Sequence, residues 1–157
     1  MLHQDSEYFS EEGLVKLKVE LEDLKTKKRR EIADRLEYAK SLGDLSENSE
    51  YQEAKEAQLL NESKVAELED MLRRAVIVQK SLSKNTVEIG SKIVVEMVEK
   101  PGEMTFSIVG YKEASPVDNK ISNESPLGSS LLGHKKGEIV KVQTPKGIVE
   151  YKIVDII

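Results

Sequence analysis

The chain has 157 residues, a net charge of −5, and 38% apolar against 34% charged residues. That is room for one ordinary domain or two small ones, too apolar for disorder and too charged for a single compact ball. With no cysteine and only His3 and His134, disulfides, thiolate chemistry and a histidine-built zinc site are excluded.

Aromatic residues make up 4% and there is no Trp, which argues against a large aromatic-lined pocket. No apolar run approaches about 18 residues and no signal-peptide pattern is present, so the sequence predicts a soluble protein of a reducing cytoplasm. The acidic excess lies wholly in residues 1–80, whereas residues 81–157 are balanced. An acidic chain is not expected to hold bulk nucleic acid by charge alone. The local cluster 25-KTKKRR-30, with Lys27, Lys28, Arg29 and Arg30, reads either as a solvated helix face or as a contact for a phosphate backbone.

In chain order, Ser10 is a candidate N-cap. Leu14, Leu17, Leu21 and Leu24 then recur at helical spacing, and Ile32, Leu36 and Ala39 resume the stripe after a polar interval. The pattern predicts one helix of roughly 30 residues with a narrow apolar seam. A second run carries Ala54, Ala57, Asn61, Val65, Leu68, Leu72 and Ala75, with no Gly or Pro from Tyr51 to Ile89. Two long helices joined by a short loop must lie antiparallel, each arm about 40 Å long at ~1.5 Å per residue. The polar interval from Lys25 to Arg30 leaves the register of the arms open.

Beyond residue 80 the period becomes two. Residues 93–98, 104–109, 138–142 and 148–154 predict strands, with a hairpin turn at Thr144-Pro145-Lys146-Gly147. Ser125 as cap, Pro126 at the first position and Gly133 as terminator predict one short helix. The expected fold is α+β: an N-terminal antiparallel helical hairpin over 1–79, then a small, curved, antiparallel β domain with one short helix over 80–157.

The loop 43–50 carries Asp44 and Glu47. One reading is a capping box, with Gly43 ending the first helix, Asp44 capping the second and Glu47 reaching back. The other is functional. Two carboxylates at the end of a rod are half of an oxygen site for Mg²⁺, completed by ligands from another molecule. Lys40 and Lys55 flank the loop and read as solvated helix lysines or as phosphate contacts.

The loop sequence 43-GDLSENSEYQEAKE-56 resembles the tip signature of the bacterial Gre transcript cleavage factors, of the GreA-like kind more than the GreB-like. The resemblance extends to Ile108-Val109-Gly110, Ile121-Ser122, Ser125-Pro126-Leu127 and Lys146-Gly147 with Glu150-Tyr151-Lys152-Ile153. It implies an N-terminal coiled coil and an FKBP-like C-terminal domain. It implies a transcription elongation factor that enters the secondary channel of RNA polymerase and stimulates the polymerase's own Mg²⁺-dependent cleavage of backtracked RNA. In that scheme the chain is not itself an enzyme. Asp44 and Glu47 share Mg²⁺ with the polymerase and position water. Lys40 and Lys55 meet the extruded RNA 3′ end, and Glu124, Ser125 and Pro126 form the polymerase-docking loop. Template DNA is met only within the elongation complex, no membrane is involved, and the protein acts as a monomer. The alternatives are a channel-binding inhibitor of polymerase and a passive coiled-coil adaptor. Prolyl isomerase activity is disfavoured, because the second domain offers only Phe106, Tyr111 and Tyr151 to wall a pocket.

Overall fold

The computed structural model describes residues 6–44, 48–79 and 84–157. It has two compact units, Leu14–Arg74 and Met1–Gly13 with Ala75–Ile157. The packing thus groups the chain differently from a division into 1–79 and 80–157. The cause is a short strand on each side of the hairpin. β1 (Glu7–Phe9) pairs in parallel with β2 (Ala75–Ile77), Glu7 opposite Ala75 and Phe9 opposite Ile77. The β-branched run Val76-Ile77-Val78 favours extended backbone. The second helix therefore ends at Arg74 instead of running on toward Ile89.

The first unit is a helical hairpin. Its first arm comprises α1 (Glu11–Asp23), a π-helical turn over Leu24–Lys28 and α2 (Arg29–Ser41). Its second arm is α3 (Ser49–Arg74), packed against α2. Leu17, Ile32 and Ala39 are buried from one side, and Ala54, Val65, Leu68 and Met71 from the other. The seam follows the predicted stripe with one shift: Met71 is buried, while the expected Leu72 is only half-buried.

The second unit holds a five-stranded sheet in the order β5-β4-β3-β7-β6. Its strands are β3 (Lys92–Met97), β4 (Glu103–Val109), β5 (Lys120–Ser122), β6 (Ile139–Thr144) and β7 (Gly147–Ile156). All pairings are antiparallel except β4 with β5, a three-residue strand absent from the sequence reading. Alternate residues turn inward, so Ile93 and Val95, Val140 and Val142, Ile108 and Ile153 form one core with Leu131 of α4 (Pro126–Leu131). The predicted turn closes β6 onto β7 with Thr144 opposite Gly147, whose φ of 121° suits glycine.

The segment before the hairpin is tied into this unit. The Ser10 N–H donates to the Glu113 carboxylate at 2.6 Å, and the Ser10 hydroxyl donates to the same group. That hydroxyl also accepts the Gly13 N–H at 3.0 Å, the expected N-cap bond. Gly110 lies under the Tyr8 carbonyl, where an added Cβ would collide with backbone. Gly110→Ala is expected to push β1 away and cost about 1–3 kcal/mol. Urea unfolding checks this, with a lowered midpoint expected and an unchanged one counting against the close approach.

Candidate functional site

The hairpin tip is built by two helix ends meeting. In the last turn of α2 the Leu42 N–H donates to the Ala39 carbonyl at 3.2 Å and the Gly43 N–H to the Lys40 carbonyl at 3.4 Å. Gly43 comes next at φ 108° with open space around it, the left-handed residue that ends a helix. Asp44 is exposed beyond it. Leu45, Ser46 and Glu47 lie outside the described residues.

The start of α3 belongs to Asn48. Its side-chain oxygen accepts the Tyr51 N–H at 3.1 Å, and its carbonyl accepts the Gln52 N–H at 3.1 Å. Its side-chain NH₂ donates to the Ala39 carbonyl at 2.6 Å. One amide thus caps the second arm and gives a terminal carbonyl of the first a second bond. This corrects the capping box: α3 begins at Ser49, so Asn48 holds the cap position that the sequence reading gave to Asp44. The signal was legible, since Asn48 directly precedes the uninterrupted helical run.

Lys40 and Lys55 are both exposed. Each lies one residue past a fully buried alanine, Ala39 and Ala54, about 100° round the helix. On antiparallel arms that equal offset puts both lysines on one flank. The Lys55 ammonium stands 5.9 Å from the Tyr51 ring. The opposite flank carries Arg35, whose guanidinium meets Glu50 at 3.3 Å and Glu53 at 3.7 Å.

The cluster at 25–30 is mostly paired. Lys25 meets Glu69 at 2.8 Å, Lys27 meets Asp23 at 2.8 Å, and Lys28 meets Glu31 at 3.3 Å. Arg29 grips Glu62 with two bonds of 2.8 and 2.7 Å. Arg30 is exposed and makes no ion pair among the described residues. Exposed pairs of this kind are weak and exchange readily for another anion.

In the second unit, Glu124 and Pro126 are exposed and Ser125 is half-buried. Ser125 caps α4: its hydroxyl accepts the Gly128 N–H at 3.0 Å and donates to the Ser122 carbonyl at 2.7 Å. Pro126 occupies the first helical position as expected. The hydroxyl is therefore engaged in shaping the loop, and Glu124 and Pro126 are what the loop presents.

Among the described residues, no three His, Asp or Glu side chains gather around a common point. No helix among the described residues is long and apolar enough to cross a membrane.

Residues 7–77 match the model of the N-terminal domain of transcription elongation factors, and residues 82–157 match the GreA/GreB C-terminal model. The chain belongs to the GreA/GreB family of transcription elongation factors. The transcription elongation factor GreA of Clostridium acetobutylicum is 47% identical over 157 residues, covering 99% of both chains. That of Acetivibrio thermocellus is 50% identical over 146 residues, covering 92% of each. The crystal structure of the GreA factor homolog 1 (Gfh1) protein of Thermus thermophilus covers 97% of this chain and 99% of its own at 29% identity, with a TM-score of 0.43.

The tip and arms of this GreA/GreB-family chain lend themselves to two tests. Asn48→Ala removes both the cap and the tie to Ala39, and a loss of about 1–2 kcal/mol is expected. The hydrogen bond from Arg29, more than its charge, holds the Glu62 carboxyl below its ordinary range. A carboxylate lowered on folding stabilises above its unfolded pKa, and that contribution fades as pH falls through the folded value. Glu62→Gln should therefore flatten the fall of the melting temperature below about pH 4.3, the ordinary glutamate value. Melting curves of the two proteins across that range check it.

Proposed function

We propose that this chain stimulates the cleavage of backtracked RNA by RNA polymerase, working through the secondary channel. The observation that carries the reading is the tip: an exposed Asp44 past a glycine turn, with Asn48 in the cap position of α3 and Lys40 and Lys55 on one flank. Family membership supports the role in elongation. The tip chemistry supports the finer step.

Asp44, with Glu47 beside it in sequence, provides hard oxygen ligands. Bound between this tip and the polymerase centre, Mg²⁺ would supply Lewis-acid stabilisation and an activated water at the phosphodiester. Lys40 and Lys55 hold the RNA backbone by charge. Lysine is a point charge on a flexible stem, so it retains the strand without fixing it in a bidentate grip. The helical arm supplies reach, and the loop Glu124–Pro126 supplies attachment. The polymerase performs the hydrolysis, and this chain completes its site.

The test uses purified polymerase stalled in a backtracked complex. The wild-type chain is expected to shorten the transcript. Asp44→Asn should lower the cleavage rate by roughly tenfold or more, since even outer partners of a metal site cost that much. The variant should still compete with the wild type for polymerase, and raised Mg²⁺ should recover part of the rate. Unshortened RNA with blocked synthesis would instead identify a channel-binding inhibitor. Full cleavage by Asp44→Asn at low Mg²⁺ would remove the metal role.

A further inference from the structure

The seam of the first arm contains one residue too many. Leu17 and Leu24 stand seven apart, and so do Ile32 and Ala39, but Leu24 and Ile32 are eight apart. The facing arm keeps an even beat, with Ala54, Asn61 and Leu68 seven apart. One added residue in a helix turns everything after it by about 100°. Ile32 and Ala39 nevertheless stay buried, at 4% and 0% exposure. The π-helical turn at Leu24–Lys28 absorbs the addition, because a wider turn consumes an extra residue without rotating the helix beyond it.

Opposite that turn sits Asn61, at 6% exposure, in a seam otherwise made of Ala, Val, Leu and Met. Its NH₂ donates to the Leu24 carbonyl at 3.1 Å, at the head of the π-turn. Its Oδ1 is buried without a partner among the described residues. A cavity of about 410 Å³ lies beside it, bordered by Arg29, Ile32, Ala33, Gln58 and Glu62. A leucine would bury more apolar surface and leave no amide oxygen unsatisfied. A buried asparagine in a heptad seam sacrifices stability and specifies one arrangement.

We propose that Asn61 fixes where the first arm takes up its extra residue. By sequence the wide turn has several places to form between Leu24 and Ile32, or the residue can be expelled toward the loop. Only at Leu24–Lys28 does a main-chain carbonyl answer the buried amide. With the extra residue displaced toward the loop, α2 would rotate, and Arg29 and Arg35 would leave Glu62 and Glu50. The inference concerns the hairpin alone and stands apart from the proposed function.

The test needs three full-length variants: Asn61→Leu, a deletion of Thr26, and both together. Arg35→Cys with Glu50→Cys is added to each as a reporter, joined by a short thiol crosslinker. The chain has no cysteine, so only that pair reacts. Asn61→Leu is expected to lower the crosslinking yield severalfold. Deleting Thr26 removes the extra residue, so the double variant should crosslink like the parent. Asn61→Leu should also raise the melting temperature more in the deletion background than in the full chain. If Asn61→Leu alone fails to fold, a folded and crosslinked double variant supports the lock. Undiminished crosslinking by Asn61→Leu, or no rescue by the deletion, overturns it.

Discussion

The amide of Asn48 is the bond on which the tip depends. A helix leaves carbonyls unsatisfied at its end and N–H groups unsatisfied at its start. At the tip of an antiparallel hairpin both sets arise side by side. Asn48 answers one of each, taking the Tyr51 N–H and giving its own to Ala39. Ala39 and Ala54, both at 0% exposure, are small enough to let the arms approach. The cap position of α3 is thus filled by Asn48, the residue directly before the helix.

Behind the tip, the arms combine a thin apolar seam with charge along both sides. Lys25–Glu69 and Arg29–Glu62 bridge the arms on one flank, and Arg35 with Glu50 and Glu53 on the other. Each exposed pair is weak. Their value lies in arrangement, since every one of them is satisfied by a single alignment of the two helices. A rod that must present a few groups at its end gains more from that uniqueness than from a larger core. Nearer the loop the lysines Lys40 and Lys55 remain outside these bridges, on the flank shared with Arg29.

The hairpin and the longer strands were legible because their periods are regular and long. The π-turn was visible as an interval of eight between Leu24 and Ile32, but a polar stretch hides the phase of a helix, so the interval left the register open. Strands β1, β2 and β5 have three residues each, too few for a period to emerge. Their pairing is decided by partners distant in sequence. At the tip, Asp44-x-x-Glu47 fits a capping box as a pattern, while Asn48 is the residue that stands directly before the helix. Lys40 and Lys55 were legible as flanking charges, and their common flank emerges once Ala39 and Ala54 define the seam. The tie between Ser10 and Glu113 joins residues 103 apart, and no local pattern announces it.

The pairing of β1 with β2 makes the helical hairpin an insertion within the second unit. The strand Glu7–Phe9 leaves the ribosome early and meets its partner only after Ala75–Ile77 has emerged. Its further anchors, Gly110 and Glu113, come later still. The hairpin is a compact unit of its own over Leu14–Arg74, and its whole sequence emerges before any of them. A hairpin formed during synthesis would bring Gly13 and Ala75 together and shorten the loop that β1 must close.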